Sequence, residues 1–241
     1  MRAGARNAEK SKAAAFDWVG IEQSLDARGN AVLSRLLNAK QCGEIATRYV
    51  EKKGYRAQIV MARYGFGRGE YKYFSYPLPL LLDQLRHTLY PHLVPIANRW
   101  NRQLGIEVQY PDELDPFLAR CHRAGQTRPT PLILEYGPGD YNCLHQDLYG
   151  EHVFPLQVAI LLSEPGKGFT GGEFVMTESA PNGQRADVVA LNQGDAVVFA
   201  VNQRPAASKR AGTRKAAMRH GVSLVRSGNR HTVGLIFHDS R

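Results

Sequence analysis

The chain has 241 residues, of which 43% are hydrophobic and 22% are charged. This balance is typical of a globular protein, and the length suits one large β-rich domain. No apolar run approaches the roughly 20 residues needed to span a bilayer, so we expect no membrane association. The basic N-terminal stretch lacks the apolar core of a secretory signal.

Basic residues outnumber acidic ones, giving a formal net charge of +9 that favours polyanions as partners. The three cysteines, Cys42, Cys121 and Cys143, are widely spaced and form no CxxC pair. An odd, dispersed set argues against a disulfide framework and against a Cys-rich zinc site. We therefore expect a reducing, cytoplasmic setting, with Cys143 as a small buried residue and not a ligand.

Residues 1–15 are basic and have almost nothing to bury, which predicts a disordered tail before a single domain at 16–241. A helical layer is predicted over about 31–105. Asn38 can cap a helix that runs to about Lys52, with Gln41 in the reciprocal capping-box position. A second helix is predicted over 78–105, where Pro91 and Pro95 force a break or kink. Short extended segments are predicted at 31–37 and 56–62.

From residue 131 to about 238 the pattern changes to short β-like runs separated by turn-forming sequences such as GPGD, TGG and NQGD. Helices followed by closely spaced strands predict an α+β fold. Specifically, we expect a double-stranded β-helix (a jelly-roll, cupin-like barrel) packed on the helical layer. The predicted strands are 132–136, 154–162, 172–176, 186–191, 195–200, 221–225 and 231–237.

A candidate metal site lies in the segment that contains His145 and Asp147. Residues two apart on an extended strand project from the same face, so this imidazole and carboxylate can approach one ion together. A third ligand must come from elsewhere. Two histidines and one carboxylate leave coordination positions open, which suits oxygen-activating Fe(II).

His220 and Arg230 support the interpretation of His145 and Asp147 as part of a metal site. If a hairpin is centred near Gly228, His220 lies opposite Ile236, and Arg230 then faces the same side as His220. An arginine inside a barrel is costly unless it meets an anion, and a carboxylate fits its planar fork.

Together these residues resemble the Fe(II)/2-oxoglutarate-dependent oxygenases, especially their prolyl-hydroxylase-like branch. The likeness covers about residues 131–238, where the order and spacing of the motifs match. Within the superfamily, the chain most resembles a bacterial family grouped by analogy with oxidative repair of alkylated DNA. The matching segments are Tyr136-Gly137-Pro138-Gly139, His145-Gln146-Asp147, Gly171-Gly172-Glu173, Gly194-Asp195 with its strand, His220, and Val225 to Arg230.

The resemblance implies roles for five residues. His145, Asp147 and His220 would bind Fe(II), and Arg230 would hold the distal carboxylate of 2-oxoglutarate. Tyr136 matches a tyrosine that often hydrogen-bonds the same cosubstrate. The implied enzyme is a dioxygenase that uses O2 and 2-oxoglutarate to hydroxylate or oxidatively demethylate a macromolecule.

Other histidines compete weakly for the ligand role. His231 follows Arg230 directly and should point to the opposite face, His238 ends the last strand, and His152 lies in a predicted loop. The three histidines of the helical half are expected at the surface or in packing: His87, His92 and His122.

Two segments bear on the substrate. Residues 202–220 hold six basic and no acidic residues and read as a flexible loop, either merely solvated or attracting nucleic acid. Residues 64–76 interleave aromatic, basic and glycine residues and could stack bases, clamp a peptide or simply pack over the barrel. Nucleic acid and protein, the latter as for a prolyl hydroxylase, are therefore both candidate substrates.

Two functions from other classes remain open at this point. A non-catalytic, cupin-like metal- or ligand-binding module would explain the barrel and the His/Asp set but not Arg230 at its spacing. A nucleic-acid-binding protein acting by charge alone would not need His145.

Overall fold

The computed structural model describes residues 13–148, 150–180, 183–208 and 212–241. Four helices lie in its N-terminal half: α1 (Trp18–Arg28), α2 (Ala39–Ala46), α3 (Leu80–Gln103) and α4 (Leu114–Arg123). Short 3-10 turns follow at Thr47–Val50 and Met61–Arg63. Among the described residues, no helix is both long and apolar enough to cross a membrane.

Fifteen strands, all paired antiparallel, make up the rest of the described fold. They are β1 (Asn30–Leu33), β2 (Tyr55–Val60), β3 (Gly67–Arg68), β4 (Glu70–Phe74), β5 (Leu132–Tyr136), β6 (Tyr141–His145), β7 (Leu156–Leu161), β8 (Phe169–Gly171), β9 (Phe174–Ala180), β10 (Gly183–Val189), β11 (Ala196–Ala200), β12 (Gln203–Ala207), β13 (Thr213–Val222), β14 (Val225–Gly228) and β15 (Arg230–Leu235).

Two sheets face each other across the barrel. The major sheet has the strand order β1-β11-β7-β15-β5-β4-β2, and the minor sheet has the order β10-β9-β13-β6-β3, with β12 paired to β13. Side chains from the two sheets meet inside, as where the rings of Phe174 on β9 and Phe199 on β11 lie 5.1 Å apart. This is the predicted α+β architecture with a double-stranded β-helix, and the sheets leave room between them for a site.

The helical layer follows the prediction in part. Asn38 and Gln41 form the expected capping box at the start of α2, which ends at Ala46 and continues as a 3-10 turn. Of the break or kink predicted at Pro91 and Pro95, a break does not occur, since α3 runs continuously through both. Both prolines lie on the exposed side of α3, where water can satisfy the carbonyls that lose a backbone partner.

Three segments differ from the sequence-based expectation. The aromatic segment at 64–76 contains strands β3 and β4, which extend the sheets. The predicted flexible loop at 202–220 is a β-hairpin of β12 and β13, whose tip at 209–211 lies outside the described residues. Helices α1 and α4 were not predicted. The first has little apolar periodicity, whereas the second has a helical apolar face, Leu114, Phe117 and Cys121, that the sequence analysis missed.

Most of the predicted tail, residues 1–12, lies outside the described part of the chain. Of its remaining residues, Ala13 is buried and its carbonyl accepts a hydrogen bond from the Trp18 indole. Cys143 is exposed, so its predicted burial is wrong. A register shift between β6 and β13 lies between Asn142 and His145, and it interrupts the regular alternation of side chains at Cys143.

Candidate metal centre and cosubstrate pocket

Three side chains from two neighbouring strands converge in the barrel. His145 ends β6, Asp147 lies two residues further on, and His220 on β13 pairs directly with His145 in the strand register. The Nε2 atoms of His145 and His220 lie 3.3 Å and 3.4 Å from separate oxygens of Asp147. Within the described residues, this is the group whose ligand atoms all lie close enough, within 4.8 Å, to share one ion.

A backbone hydrogen bond fixes the orientation of the first imidazole. Nδ1 of His145 lies 2.8 Å from the carbonyl oxygen of Cys143. A carbonyl can only accept, so Nδ1 carries a proton, and Nε2 is the nitrogen directed toward Asp147. Metal-binding histidines are commonly oriented in this way by a carbonyl or carboxylate.

Electrostatics within the triad favours a charged carboxylate. Burial alone would raise the pKa of Asp147, but hydrogen bonds from His145 and His220 hold it well below its usual range. Burial opposes charge on His145 as well, yet the bond to Asp147 raises its pKa, whereas burial prevails at His220 and lowers the pKa there. Deprotonated oxygen and nitrogen donors are what a divalent cation requires.

The donor set fits Fe(II). Two ligands in adjacent octahedral positions, each about 2.1 Å from a metal, lie about 3 Å apart, close to the 3.3 Å and 3.4 Å separations observed. Two imidazoles and one carboxylate occupying one face leave the opposite positions open for exogenous ligands, the arrangement typical of non-heme Fe(II) oxygenases.

Arg230 lies on the major sheet and forms part of the same cavity wall. Its side chain is 2% exposed, and in the described part of the chain its hydrogen bond is to the hydroxyl of Thr232, whereas Nε has no partner. Burial lowers the pKa of Arg230 to about 10. A buried cation with unused donors is a ready site for an anion with two oxygens.

Tyr136 is the register partner of Arg230 on β5 and lies beneath its guanidinium, 5.6 Å from the ring centre. The residue is fully buried, and its hydroxyl has no hydrogen-bond partner among the described residues. Burial raises its pKa to about 12, so the hydroxyl remains a donor at neutral pH. Tyr136 and Arg230 thus present neighbouring donors to the cavity.

Gly172 makes space for the arginine. A Cβ at this position would lie 2.8 Å from Cδ of Arg230 and 2.8 Å from Cγ2 of Val225, and the backbone has φ +65°. Both the contact and the left-handed backbone favour glycine. The GGE segment therefore shapes the pocket through its backbone.

The cavity that contains these residues has a volume of about 200 Å³. Aromatic side chains form much of its wall, and the ring of Phe199 lies 4.5 Å from that of His220. The cavity opens to solvent on one side, so a group of a larger substrate can enter it.

The hairpin predicted between the strands that carry His220 and Arg230 is wrong. β13 and β15 do not form a hairpin, because residues 223–229 cross from the minor sheet to the major sheet and β14 pairs with β8 instead. His220 and Arg230 still meet the same cavity, since the two sheets face each other.

The competing histidines lie outside the cavity lining. His231 points away from Arg230, as expected, and packs against Tyr49. His238 is buried and accepts a hydrogen bond from the backbone of Phe154. Sequence reasoning missed Thr232 and Gln157, which also line the cavity. Thr232 could have been found, because it lies two residues after Arg230 and so faces the same side of the strand.

Comparisons with known proteins identify the fold and the family. The fold is that of the Fe(II)/2-oxoglutarate oxygenases: a prolyl-4-hydroxylase from Pseudomonas putida matches with a TM-score of 0.53 and 16% identity, covering 93% of this chain and 99% of that one. A 2OG-Fe(II) oxygenase family oxidoreductase from Burkholderia pseudomallei matches with a TM-score of 0.54 and 14% identity, covering 94% of each.

The sequence defines the family more narrowly. The model of Oxygenase-NA, oxygenases catalysing oxidative methylation of damaged DNA, matches residues 69–240, and the chain belongs to this family. An uncharacterized protein of Mycobacterium tuberculosis, found in strains CDC 1551 / Oshkosh and H37Rv, is 51% identical over 168 residues, 69% of this chain and 72% of that protein. The chain is thus an oxygenase, and its fold and triad indicate Fe(II) and 2-oxoglutarate.

Proposed function

We propose that His145, Asp147 and His220 bind Fe(II), and that Arg230, assisted by Thr232, binds the distal carboxylate of 2-oxoglutarate. The buried, unsatisfied guanidinium of Arg230 on the wall of the triad's cavity is the observation that carries this proposal. Bound iron and 2-oxoglutarate would supply the oxidising chemistry with O2. The protein positions the cosubstrate and excludes water from Arg230 and Tyr136.

We further propose damaged nucleic acid as the substrate, oxidised at an alkyl group on a base. Hydroxylation of an N-methyl carbon gives a hydroxymethyl group that is released as formaldehyde, restoring the base. The family description supports this choice, and so does the mouth of the cavity.

The cavity mouth carries exposed rings beside positive charge. Phe66 lines the cavity and is 46% exposed, and its ring stacks on that of Tyr64, with centres 5.7 Å apart. Arg63 and Arg68 are exposed in the same short segment. Aromatic faces that stack bases, combined with cations that contact phosphates, are typical of single-stranded nucleic acid binding.

The basic hairpin β12–β13 contributes fewer free charges than its composition suggests. Arg204 and Arg214 pair with the buried carboxylate of Glu178, at 2.8 Å and 3.2 Å. Lys215 and Arg219 are exposed on β13, the strand that carries His220. These two are the described hairpin residues that we expect to contact phosphates.

We also propose that the protein functions in a reducing, cytoplasmic compartment.

The test is a substrate screen coupled to succinate release. Purified protein with Fe(II), 2-oxoglutarate and O2 is offered single-stranded oligonucleotides with one methylated base, matched unmodified oligonucleotides, and proline-containing peptides. We expect succinate and formaldehyde in equal amounts with the methylated oligonucleotide alone. Hydroxylated peptide with an untouched oligonucleotide would identify a protein hydroxylase instead, and absence of 2-oxoglutarate binding would contradict the oxygenase assignment for this site.

A further inference from the structure

One polar side chain in the cavity has no partner and no role in the proposed cofactor site. Gln157 lies at the start of β7, is 4% exposed and lines the same cavity as the triad. Its Nε2 has no hydrogen-bond partner among the described residues. Buried amides are nearly always hydrogen-bonded, so an amide that the protein leaves unpaired in a cavity wall is available to a bound molecule.

Gln157 and Arg230 lie toward opposite ends of the cavity. Leu235 on β15 pairs with Val158 on β7, so Gln157 lies beside Ile236, six residues along β15 from Arg230. At about 3.3 Å per residue, this is roughly 20 Å along the strand. Strand side chains stand roughly perpendicular to the sheet, so the guanidinium of Arg230 and the amide of Gln157 keep most of that separation. It exceeds the length of 2-oxoglutarate, whose four carbon–carbon bonds are each about 1.5 Å long. A cosubstrate held by Arg230 therefore leaves Gln157 unpaired.

The triad lies within reach of the Gln157 end. Gln157 pairs in register with Phe199 on β11, and the ring of Phe199 lies 4.5 Å from that of His220. Phe174 packs against Phe199, so aromatic rings form the wall between Gln157 and the triad. A group that reaches Gln157 is thus close to the proposed iron and on the side away from Arg230.

We propose that Gln157 is a specificity-determining residue whose side-chain amide hydrogen-bonds the edge of the target base. This inference rests on the proposed nucleic-acid function. An amide offers a donor and an acceptor in one plane, the pattern that matches the hydrogen-bonding edge of a base. Enzymes that modify an unstacked base read it by such bonds while aromatic side chains stack on it, and both elements are present beside the triad.

The experiment compares Gln157→Leu and Gln157→Met with the wild type. Both variants keep similar bulk and remove the hydrogen bonds, and the second provides an unbranched alternative if leucine disturbs folding. Gln184→Leu is the matched control, because Gln184 is exposed on β10, away from the cavity lining. The probe is a single-stranded oligodeoxynucleotide with one 1-methyladenine, and KM, kcat and the Kd for 2-oxoglutarate on the Fe(II)-loaded protein are measured.

We expect KM for the oligonucleotide to rise about tenfold in both Gln157 variants, as for loss of one base contact. The Kd for 2-oxoglutarate should stay within about twofold of wild type, since Arg230 lies at the far end. A wild-type KM in either folded variant, or a parallel rise in the Kd for 2-oxoglutarate, would overturn the inference. If the wild-type protein did not turn over the oligonucleotide, the proposed nucleic-acid substrate would be wrong. If the wild type turned it over normally and the Gln157 variants did so equally well, only the proposed role of Gln157 would be wrong.

Discussion

Two buried arginines in this protein have opposite surroundings. Arg86 on α3 lies 3.5 Å from the fully buried carboxylate of Asp239, to which Tyr76 and His122 also bind. Arg230 is equally buried, but its hydrogen bond goes to a neutral hydroxyl, and burial lowers its pKa. Nε lacks a hydrogen-bond partner in both side chains, but Arg86 has a carboxylate counterion, whereas no ion pair involves Arg230 among the described residues. A buried cation with its counterion stabilises the fold, whereas one without a counterion in a cavity wall can bind an anionic ligand.

The largest expected effect concerns the triad that lies across the cavity from Arg230. His145→Ala, Asp147→Ala or His220→Ala should each lower Fe(II) affinity by at least about a hundredfold, because losing only the hydrogen-bond partner of a metal ligand already costs roughly 10- to 100-fold. Iron content after gel filtration measures this. His231→Ala, which changes a histidine outside the triad, should retain iron, and iron loss in that variant would make the ligand assignment wrong.

Stability measurements test the contrast between Arg86 and Arg230 directly. Asp239→Asn should lower the free energy of unfolding by about 3 kcal/mol, because it leaves the Arg86 charge buried with only neutral partners. Arg230→Met should leave the stability of the ligand-free protein unchanged or higher, because it removes a buried charge that has no counterion. Urea unfolding of both variants, in the absence of 2-oxoglutarate, measures whether the free energy of unfolding falls or rises relative to the wild type. Equal destabilisation would show that Arg230 is structural.

A smaller effect is expected from crowding Arg230. Gly172→Ala places a Cβ against Cδ of Arg230 and strains a left-handed backbone. The guanidinium should shift, raising the Kd for 2-oxoglutarate about tenfold while iron binding is retained. Gly183→Ala, where the backbone also has positive φ but no atom lies within 4 Å of the Cβ, controls for backbone strain. If both glycine variants changed the Kd alike, the steric account of Gly172 would be incorrect.

The smallest effect is expected from the exposed hairpin charges. Lys215→Ala together with Arg219→Ala should weaken binding of a single-stranded oligonucleotide several-fold and reduce its salt dependence. Arg214→Ala should instead lower stability, because Arg214 pairs with buried Glu178. Fluorescence anisotropy at several salt concentrations distinguishes the two. Salt-independent binding by the wild type would count against phosphate contacts at this hairpin.

Sequence patterns predicted local features better than pairings. The capping box at Asn38 and the barrel strands depend on neighbouring residues, so they could be recognised from the chain alone. The assembly of His145, Asp147 and His220 required a resemblance, because β6 and β13 pair over a long sequence separation. The hairpin assumed for His220 and Arg230 failed because a turn sequence such as Arg226 to Asn229 does not reveal whether the chain returns to the same sheet.

Gln157 shows a further limit of sequence reading. A glutamine in an apolar β run gives no indication whether its amide is satisfied, and the answer depends on β11 and β15 packed beside it. Arg230, in contrast, could be proposed from the sequence as an anion-binding residue, because a charge inside a barrel is costly under any packing.

The most direct test of the account is a titration of 2-oxoglutarate into Fe(II)-loaded protein without oxygen. We expect saturable binding to wild type and to Asp239→Asn, and affinity at least about thirtyfold weaker for Arg230→Met, because truncating a buried charged partner costs about 2 kcal/mol or more. Iron content must be equal in all three proteins. Normal affinity in Arg230→Met would contradict the assignment of the unsatisfied arginine as the cosubstrate anchor.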